Sequence, residues 1–352
     1  MPNSIITGLS RVFTILVIST GEVTRDRLRP AIHSLAADLA VDNAIFRVCS
    51  LDRTETPPFY LARSSNLREY FLPIRDNVLP LATLDHLGFL GSHVLGWVAA
   101  PTRYHRVYCA QFAGGAAGSG GVVGRCILDK PAFASPQEAD SLIPWRDWLI
   151  PISHFCHKDD IQRLFESPTM VTSTSVAASF LELGGVGPRQ IDCSEHDVGY
   201  HQLGLFFAGL RASDIDIDRC FTMRYRPVGD DAPTVSTAHR LHVRAFVEGR
   251  EIPGTIMAGK RVAATRQEIV FTGSDGQTRF SQKGDPDGFR PYKRILSAAL
   301  FDAMPSFPLL PEHHVKLVTL CDVATQKAED LGEYSPGETP PFLHPNWEAP
   351  HL

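Results

Sequence analysis

The sequence predicts an α+β fold: a mixed sheet with antiparallel hairpins in the C-terminal half and helices packed on one side. Two stretches carry that reading. In residues 240–280, Leu241, Val243, Ala245 and Val247 alternate with His242, Arg244, Phe246 and Glu248, the period-two signature of a half-buried strand. Gly249 turns it, and a second hairpin follows around Gly273-Ser274-Asp275-Gly276, where Asp-Gly is a strong short-range hairpin signal. The second stretch is the β-α-β opening, with apolar strands at residues 12–19 and 44–51 around a helix that starts at Pro30. Proline suits a first helical position, and Ile32, Leu35, Ala36 and Leu39 then share a face.

Composition divides the chain into four parts: an N-terminal α/β part with a glycine-rich hairpin (1–130), a mainly helical part (131–218), a hairpin-rich part with one helix (219–327) and an extended Pro/aromatic arm (328–352). Along it, residues 54–80 read as irregular because Pro57, Pro58, Pro73 and Pro80 interrupt them, and residues 81–100 read as helix. Residues 104–112 and 122–128 read as strands joined by the glycine-rich tip 113–121. Helices are expected at 158–166, 172–183, 198–210 and 290–304, the last with Pro291 in its first turn, with a strand at 220–226 and a last strand at 315–320.

The chain is long enough for one large or two ordinary domains, and 43% hydrophobic residues with 20 Phe supply a core. Its formal charge of −5 and the absence of a Lys/Arg run argue against strong nucleic-acid binding. Only seven of the 34 basic residues are Lys, and none precedes Lys130. Protein interfaces favour Arg over Lys in the same sense. The seven cysteines are odd in number and form no CxxC pair, so they read as buried hydrophobes in a reducing, cytoplasmic setting. The apolar run at 12–18 is far shorter than the roughly 20 residues of a membrane span, so no membrane partner is expected.

No catalytic, cofactor-binding or metal-ligating residue is assigned, and no cofactor. The first strand is followed by Ser19-Thr20-Gly21-Glu22 and lacks the GxGxxG of a dinucleotide turn. The glycine-rich tip has no Lys and no following helix, against a P-loop. His154, Cys156, His157, Asp159 and Asp160 cluster without a zinc spacing, and the acids suit a helix start. Cys193, His196 and Asp197 are sequence neighbours and read as a polar turn before a helix. Asp214, Asp216 and Asp218 lack the Gly and distal Glu of a calcium loop, and His313-His314 reads as a strand edge.

What remains is self-association. Residues 334–350 hold five prolines and three aromatics, an extended arm whose Phe342 and Trp347 are candidate anchors in pockets of the same chain or of a neighbouring copy. The expectation is a structural subunit of a homomeric assembly, a viral capsid shell being the instance in view, with the virion as its location. The alternative is an intracellular transferase or hydrolase whose pocket is built from scattered residues. The balance falls on the side of a non-enzyme.

Overall fold

The computed structural model describes residues 11–113, 123–142, 147–166, 172–183, 195–226, 237–263, 265–283, 287–301, 309–335 and 337–347. The expected glycine-rich tip beyond Ala113, Cys193 and the arm beyond Trp347 lie outside these residues. Helices run over Arg29–Asp38 (α1), Leu81–His86 (α2), His105–Phe112 (α3), Pro136–Leu142 (α4), Asp159–Glu166 (α5), Tyr200–Leu210 (α6), Arg290–Leu300 (α7) and Pro311–Gln326 (α8). No helix among the described residues is long and apolar enough to cross a membrane. The chain forms two compact units, the first of residues 1–133, 140–152 and 287–307, the second of 134–139, 153–286 and 308–352.

In the first unit, strands Val12–Ile18 (β1), Ile45–Asp52 (β2), Leu67–Pro73 (β3), Gly91–Val98 (β4), Val123–Leu128 (β5) and Leu149–Pro151 (β6) form one sheet in the order β3-β2-β1-β4-β5-β6. Every pairing is parallel, with Val12 opposite Ile45 and Ile18 opposite Leu51 in the central pair. Alternate side chains go to opposite faces. Ile15, Val17, Phe46, Val48, Leu95 and Trp97 meet Ile32 and Leu35 of α1 and Ile295, Leu296 and Ala299 of α7. On the other face Phe112 of α3 comes so near Gly96 that a Cβ there would lie 3.1 Å from its ring. Helices on both faces of an all-parallel sheet make a doubly wound layer.

The expected α+β fold with helices on one side is therefore corrected. The β-α-β opening continues as parallel winding, and a mixed sheet occurs only in the second unit. Residues 104–112, expected as a strand, form α3: His105, Tyr108, Cys109 and Phe112 are its buried face, a helical spacing. Residues 81–100 split into the short α2 and the central strand β4.

The second unit holds Ser173–Glu182 (β7), Asp214–Tyr225 (β8), Ala238–Val247 (β9), Arg250–Lys260 (β10), Arg266–Gly273 (β11), Gly276–Ser281 (β12) and Ala328–Tyr334 (β13), in the order β12-β11-β7-β10-β9-β8-β13. The two expected hairpins are present: β9 and β10 turn through Glu248 and Gly249, both at positive φ, and β11 and β12 close between Gly273 and Gly276. Residues 172–183 are strand β7 rather than a helix, because they fill the place between β11 and β10. Residues 315–320 belong to α8 rather than to a last strand. Helix α6 lies on β10 at Gly254, where a Cβ would stand 2.4 Å from the Phe206 ring and 2.8 Å from Val243. Gly254→Ala should accordingly cost about 1–3 kcal/mol, read as a lower urea midpoint with unchanged slope.

The Pro/aromatic stretch docks on its own chain. Phe342 and Leu343 are fully buried among Phe221, Met257 and Tyr334, and the Trp347 ring packs edge-on to Phe221 at 4.9 Å. Arg240 fixes it by donating from Nη1 to the carbonyls of Phe342 (2.9 Å) and His344 (3.0 Å).

Candidate functional site

In the first unit the strand order reverses direction at β1, whose neighbours are β2 on one side and β4 on the other. At such a switch point the loops leaving the carboxyl ends of the strands diverge and open a crevice. A cleft of about 170 Å³ lies there, lined by Ser19, Asp52, Arg53, Arg103, Tyr104 and Tyr108 among others.

Four chain segments line it: the ends of β1 and β2, Ile74, and the stretch from Ala100 to Tyr108. After β1, Ser19 takes φ +96°, unusual for a residue with a Cβ, and its hydroxyl accepts the Gly21 N–H at 3.2 Å. Thr20 donates its hydroxyl to Asp52 Oδ2 at 2.6 Å and its N–H to the same oxygen. Asp52 ends β2, and its Oδ1 accepts the N–H groups of Arg53 (2.6 Å) and Thr54 (3.4 Å). Both carboxylate oxygens are thus committed within the chain. Arg53 points its guanidinium at the Tyr104 ring, 4.3 Å from the centroid, and donates to Asn77 Oδ1. Arg103 lies 5.0 Å from the same ring. Hydrogen bonding to Arg53, then to Arg103, draws the Tyr104 phenol below its usual value, while burial raises that of Tyr108.

A further loop follows β5, the strand next to β4. Asp129 is buried, donates its N–H to Val98 O at 3.0 Å, and accepts the Lys130 N–H on Oδ1 at 2.8 Å. Burial lifts its carboxyl to about 6, against the lowering effect of Lys130. Lys130 and Pro131 are joined by a cis peptide bond. Tyr292 of α7 stacks on Trp97 at 5.9 Å, and its hydroxyl is pushed well above its usual value by burial and then by Asp129. His105 opens α3 with its ring fully buried between Ala100 O and Ala132 O.

The clusters singled out in the sequence belong to the second unit and do other work. Ser153 Oγ and His201 Nδ1 are 2.7 Å apart, and the His201 ring stacks on Phe155 at 4.0 Å. Cys156 is buried and pushed to about 12 by that burial, and Lys158 sits 3.6 Å above the Phe155 ring with its ammonium donating to Gln282 O at 2.6 Å. Asp159 and Asp160 open α5, as expected of acids at a helix start. Asp197 pairs with Lys260, and the fully buried His239 is held low by burial against the opposing pull of Glu195 and Asp197. Asp216 and Asp218 face Arg244 across the β8–β9 pair, at 3.3 and 2.8 Å. His314, expected on a strand edge, is instead buried in the first turns of α8 against the Tyr200 hydroxyl, and burial lowers it to about 3.

A larger cleft of about 500 Å³ lies over the open face of the second sheet, among Arg240, His242, Thr255, Met257, Arg266 and Arg279. It is formed by mid-strand side chains, and its acids are already paired, Glu268 with Arg279 at 3.1 Å and Asp218 with Arg244. The smaller crevice, at diverging strand ends, is the better candidate for chemistry.

A dinucleotide is what such a crevice commonly receives, and its fit can be tested on the chain. A Cβ on Gly21 would meet nothing nearer than the Ser19 hydroxyl, at 3.4 Å. Packing therefore does not demand glycine there, and the bare backbone at the head of the helical run into α1 suits a phosphate. Arg53 and Arg103 offer cations and Tyr104 a flat ring. The fit departs at Ser19 and Thr24, where the fingerprint has glycine, or alanine at the second of these, and Glu22 adds an exposed acid. With that reservation of sequence, the residues fit the group. The search for GxGxxG alone missed them; Asp52-Arg53 ending the second strand and Asp129-Lys130-Pro131 ending the fifth were the available signals.

No protein-family model matches the chain, and no curated protein does. Solved structures do. The chain is similar to glucose-6-phosphate 1-dehydrogenase from Mycobacterium avium, with a TM-score of 0.69 and 14% identity over 97% of this chain and 99% of that one. It is similar to a mutant of the 3-ketoreductase KijD10 from Actinomadura kijaniata in complex with TDP-benzene and NADP, with a TM-score of 0.62 and 15% identity over 92% and 99%. D-galactose-1-dehydrogenase from Rhizobium etli gives 0.61 and 18% over 92% and 98%. At these identities the likeness is one of fold, Rossmann-like in the first unit. It overturns the expectation of a structural, capsid-type subunit of the virion and the leaning away from an enzyme, because the fold found over nine-tenths of the chain is that of dehydrogenases and reductases.

Proposed function

We propose that the chain is an oxidoreductase that passes hydride between a nicotinamide dinucleotide and a polyhydroxylated, sugar-like substrate. The observation that carries this is the crevice at the switch point of a 3-2-1-4-5-6 parallel sheet, furnished with Arg53, Arg103 and Tyr104. The substrate class is supported by the names of the similar structures, two sugar dehydrogenases and a ketoreductase. When bound, the nicotinamide supplies or accepts the hydride. Gly21 and the helix start would hold the diphosphate, Tyr104 and the two arginines the adenosine end, and Lys130 is the proton donor or acceptor at the substrate oxygen.

The phosphorylated cofactor is the better fit. A carboxylate ending β2 ordinarily bonds the ribose 2′-hydroxyl and repels a 2′-phosphate. Asp52 is instead folded back onto Thr20, with Arg53 and Arg103 beside it. Titrating the protein with NADPH and NADH by fluorescence should give tighter binding of NADPH. Arg53→Ala should weaken NADPH about tenfold or more, the worth of a charge-assisted contact, and leave NADH nearly unchanged. No binding of either nucleotide at millimolar concentration would overturn the reading. A reducing, cytoplasmic setting accompanies it, in keeping with six buried cysteines among the described residues.

A further inference from the structure

The ring of His105 touches two loops at once. Its Nε2 lies 2.7 Å from Ala100 O, on the loop after β4 that carries Arg103 and Tyr104, and its Nδ1 lies 3.1 Å from Ala132 O, on the loop after β5 that carries Asp129 and Lys130. Carbonyl oxygens only accept, and a neutral imidazole has one N–H to give. Only the imidazolium can donate to both. In the neutral ring the shorter contact keeps the proton on Nε2, and the Nδ1 lone pair then faces the Ala132 oxygen without a hydrogen between them.

We infer that His105 is a positioning residue, a proton-dependent tie that holds the Lys130 loop to the loop lining the cofactor crevice when the ring is charged and releases it when the ring is neutral. This rests on the reading of the crevice as a dinucleotide site. The ring is fully buried. The titratable residues on the elements packed around it are Arg103 and Tyr104 on the loop before it, His93 on β4, Arg125 and Cys126 on β5, Asp129 and Lys130 on the loop after β5, and on its own helix Arg106, Tyr108 and Cys109. Of the influences on its proton affinity, burial lowers it most, and the Ala132 and Ala100 carbonyls raise it less. The ring is thus neutral at pH 7 and gains its second donor only on acidification. Hydride transfer to a carbonyl consumes a proton and the reverse releases one, so the tie responds to the same quantity the reaction changes.

The test is in two parts on the full chain. With ¹⁵N-labelled histidine, the His105 signals, assigned by their loss in His105→Gln, should show Nε2–H alone at neutral pH and protonation of both nitrogens at a pH below the ordinary histidine range. NADPH affinity, measured by fluorescence, should rise about three- to tenfold across that same titration, the size of one hydrogen bond, relative to His105→Gln. The 2′-phosphate titrates near pH 6 in both proteins and cancels in the comparison. If the variant does not fold, wild-type affinity for NADH serves in its place, because NADH lacks the 2′-phosphate and a rise across the titration is then the tie's own. A ring that titrates while NADPH affinity stays level overturns the tie and leaves the cofactor reading intact. Failure of NADPH to bind at any pH overturns that reading, and the tie with it.

Discussion

A Lys130→Met variant is expected to fold and bind NADPH as the wild type does while losing turnover by about 10²- to 10⁴-fold, the usual worth of a positioned acid or base. The residue stands at the carboxyl end of β5, one strand from β4 and two from β1, where the crevice opens. Lysine is scarce in this unit. Its other lysine, Lys293 on α7, is held by Asp38 and by Ser34 Oγ at 2.8 Å, away from the strand ends. An ammonium can give a proton to an alkoxide oxygen and, deprotonated, take one back; methionine keeps the length and removes both functions. Lys130→Arg separates charge from proton transfer, because guanidinium does not give up its proton. Turnover should stay low in Lys130→Arg, measured over a panel of aldoses, ketoses and their phosphates with NADPH or NADP. Wild-type turnover in Lys130→Met would remove the residue from the mechanism.

Glu69→Gln should cost about 3 kcal/mol of stability at pH 7. Glu69 on β3 is nearly buried and accepts from Arg29 Nε and Nη2 (both 2.8 Å), from His33 Nε2 (2.9 Å) and from the Ala62 N–H (2.6 Å). Burial alone would raise its carboxyl, but the His33 and Arg29 contacts and the Ala62 N–H together outweigh it and bring it to about 2 from 4.5. A carboxyl lowered by folding gives stability that is whole above the unfolded value, near 4.5, and fades as pH falls through the folded value, near 2. The lowering corresponds to roughly 3 kcal/mol, within reach of the 3–5 kcal/mol typical of breaking a buried ion pair. Urea unfolding at pH 7 and near pH 3 is the measurement. The gap between wild type and variant should narrow in acid, and a gap equal at both would mean that packing, not the ionised pair, is what the substitution removes.

What could be read from the sequence was what is local. The hairpins β9–β10 and β11–β12 pair neighbours across a short turn, so alternation and turn residues sufficed. Pro30 and Pro291 marked the first turns of α1 and α7. Elements surrounded by apolar neighbours were misread, since a buried strand and a buried helix present similar runs. Strand β7, with Ala177, Ala178 and Ser179 between two other strands, looked like a helix, and α3 looked like a strand although His105, Tyr108, Cys109 and Phe112 already stood at helical spacing. The crevice was the least legible part. Ser19, Asp52 with Arg53, and Arg103, Tyr104 and Tyr108, which line it, and Asp129 with Lys130, which follow the neighbouring strand, lie far apart in the chain and reach one side of the sheet only because its strands are parallel. Each of these short stretches says little until the winding is known.

The first unit is completed by a return of the chain at Asp287, and this has a bearing on its synthesis. When β6 has left the ribosome, all six strands exist, but the face that α7 will cover still shows Trp97 and its aliphatic neighbours to the solvent. At translation speeds of about 5–20 residues per second, the missing helix follows on the order of ten seconds later. During that interval the nascent chain carries an open apolar layer, the kind of surface that chaperones bind and that drives aggregation in crowded hosts. A premature stop codon between residues 153 and 286 would yield not a freed nucleotide-binding layer but an unfinished one.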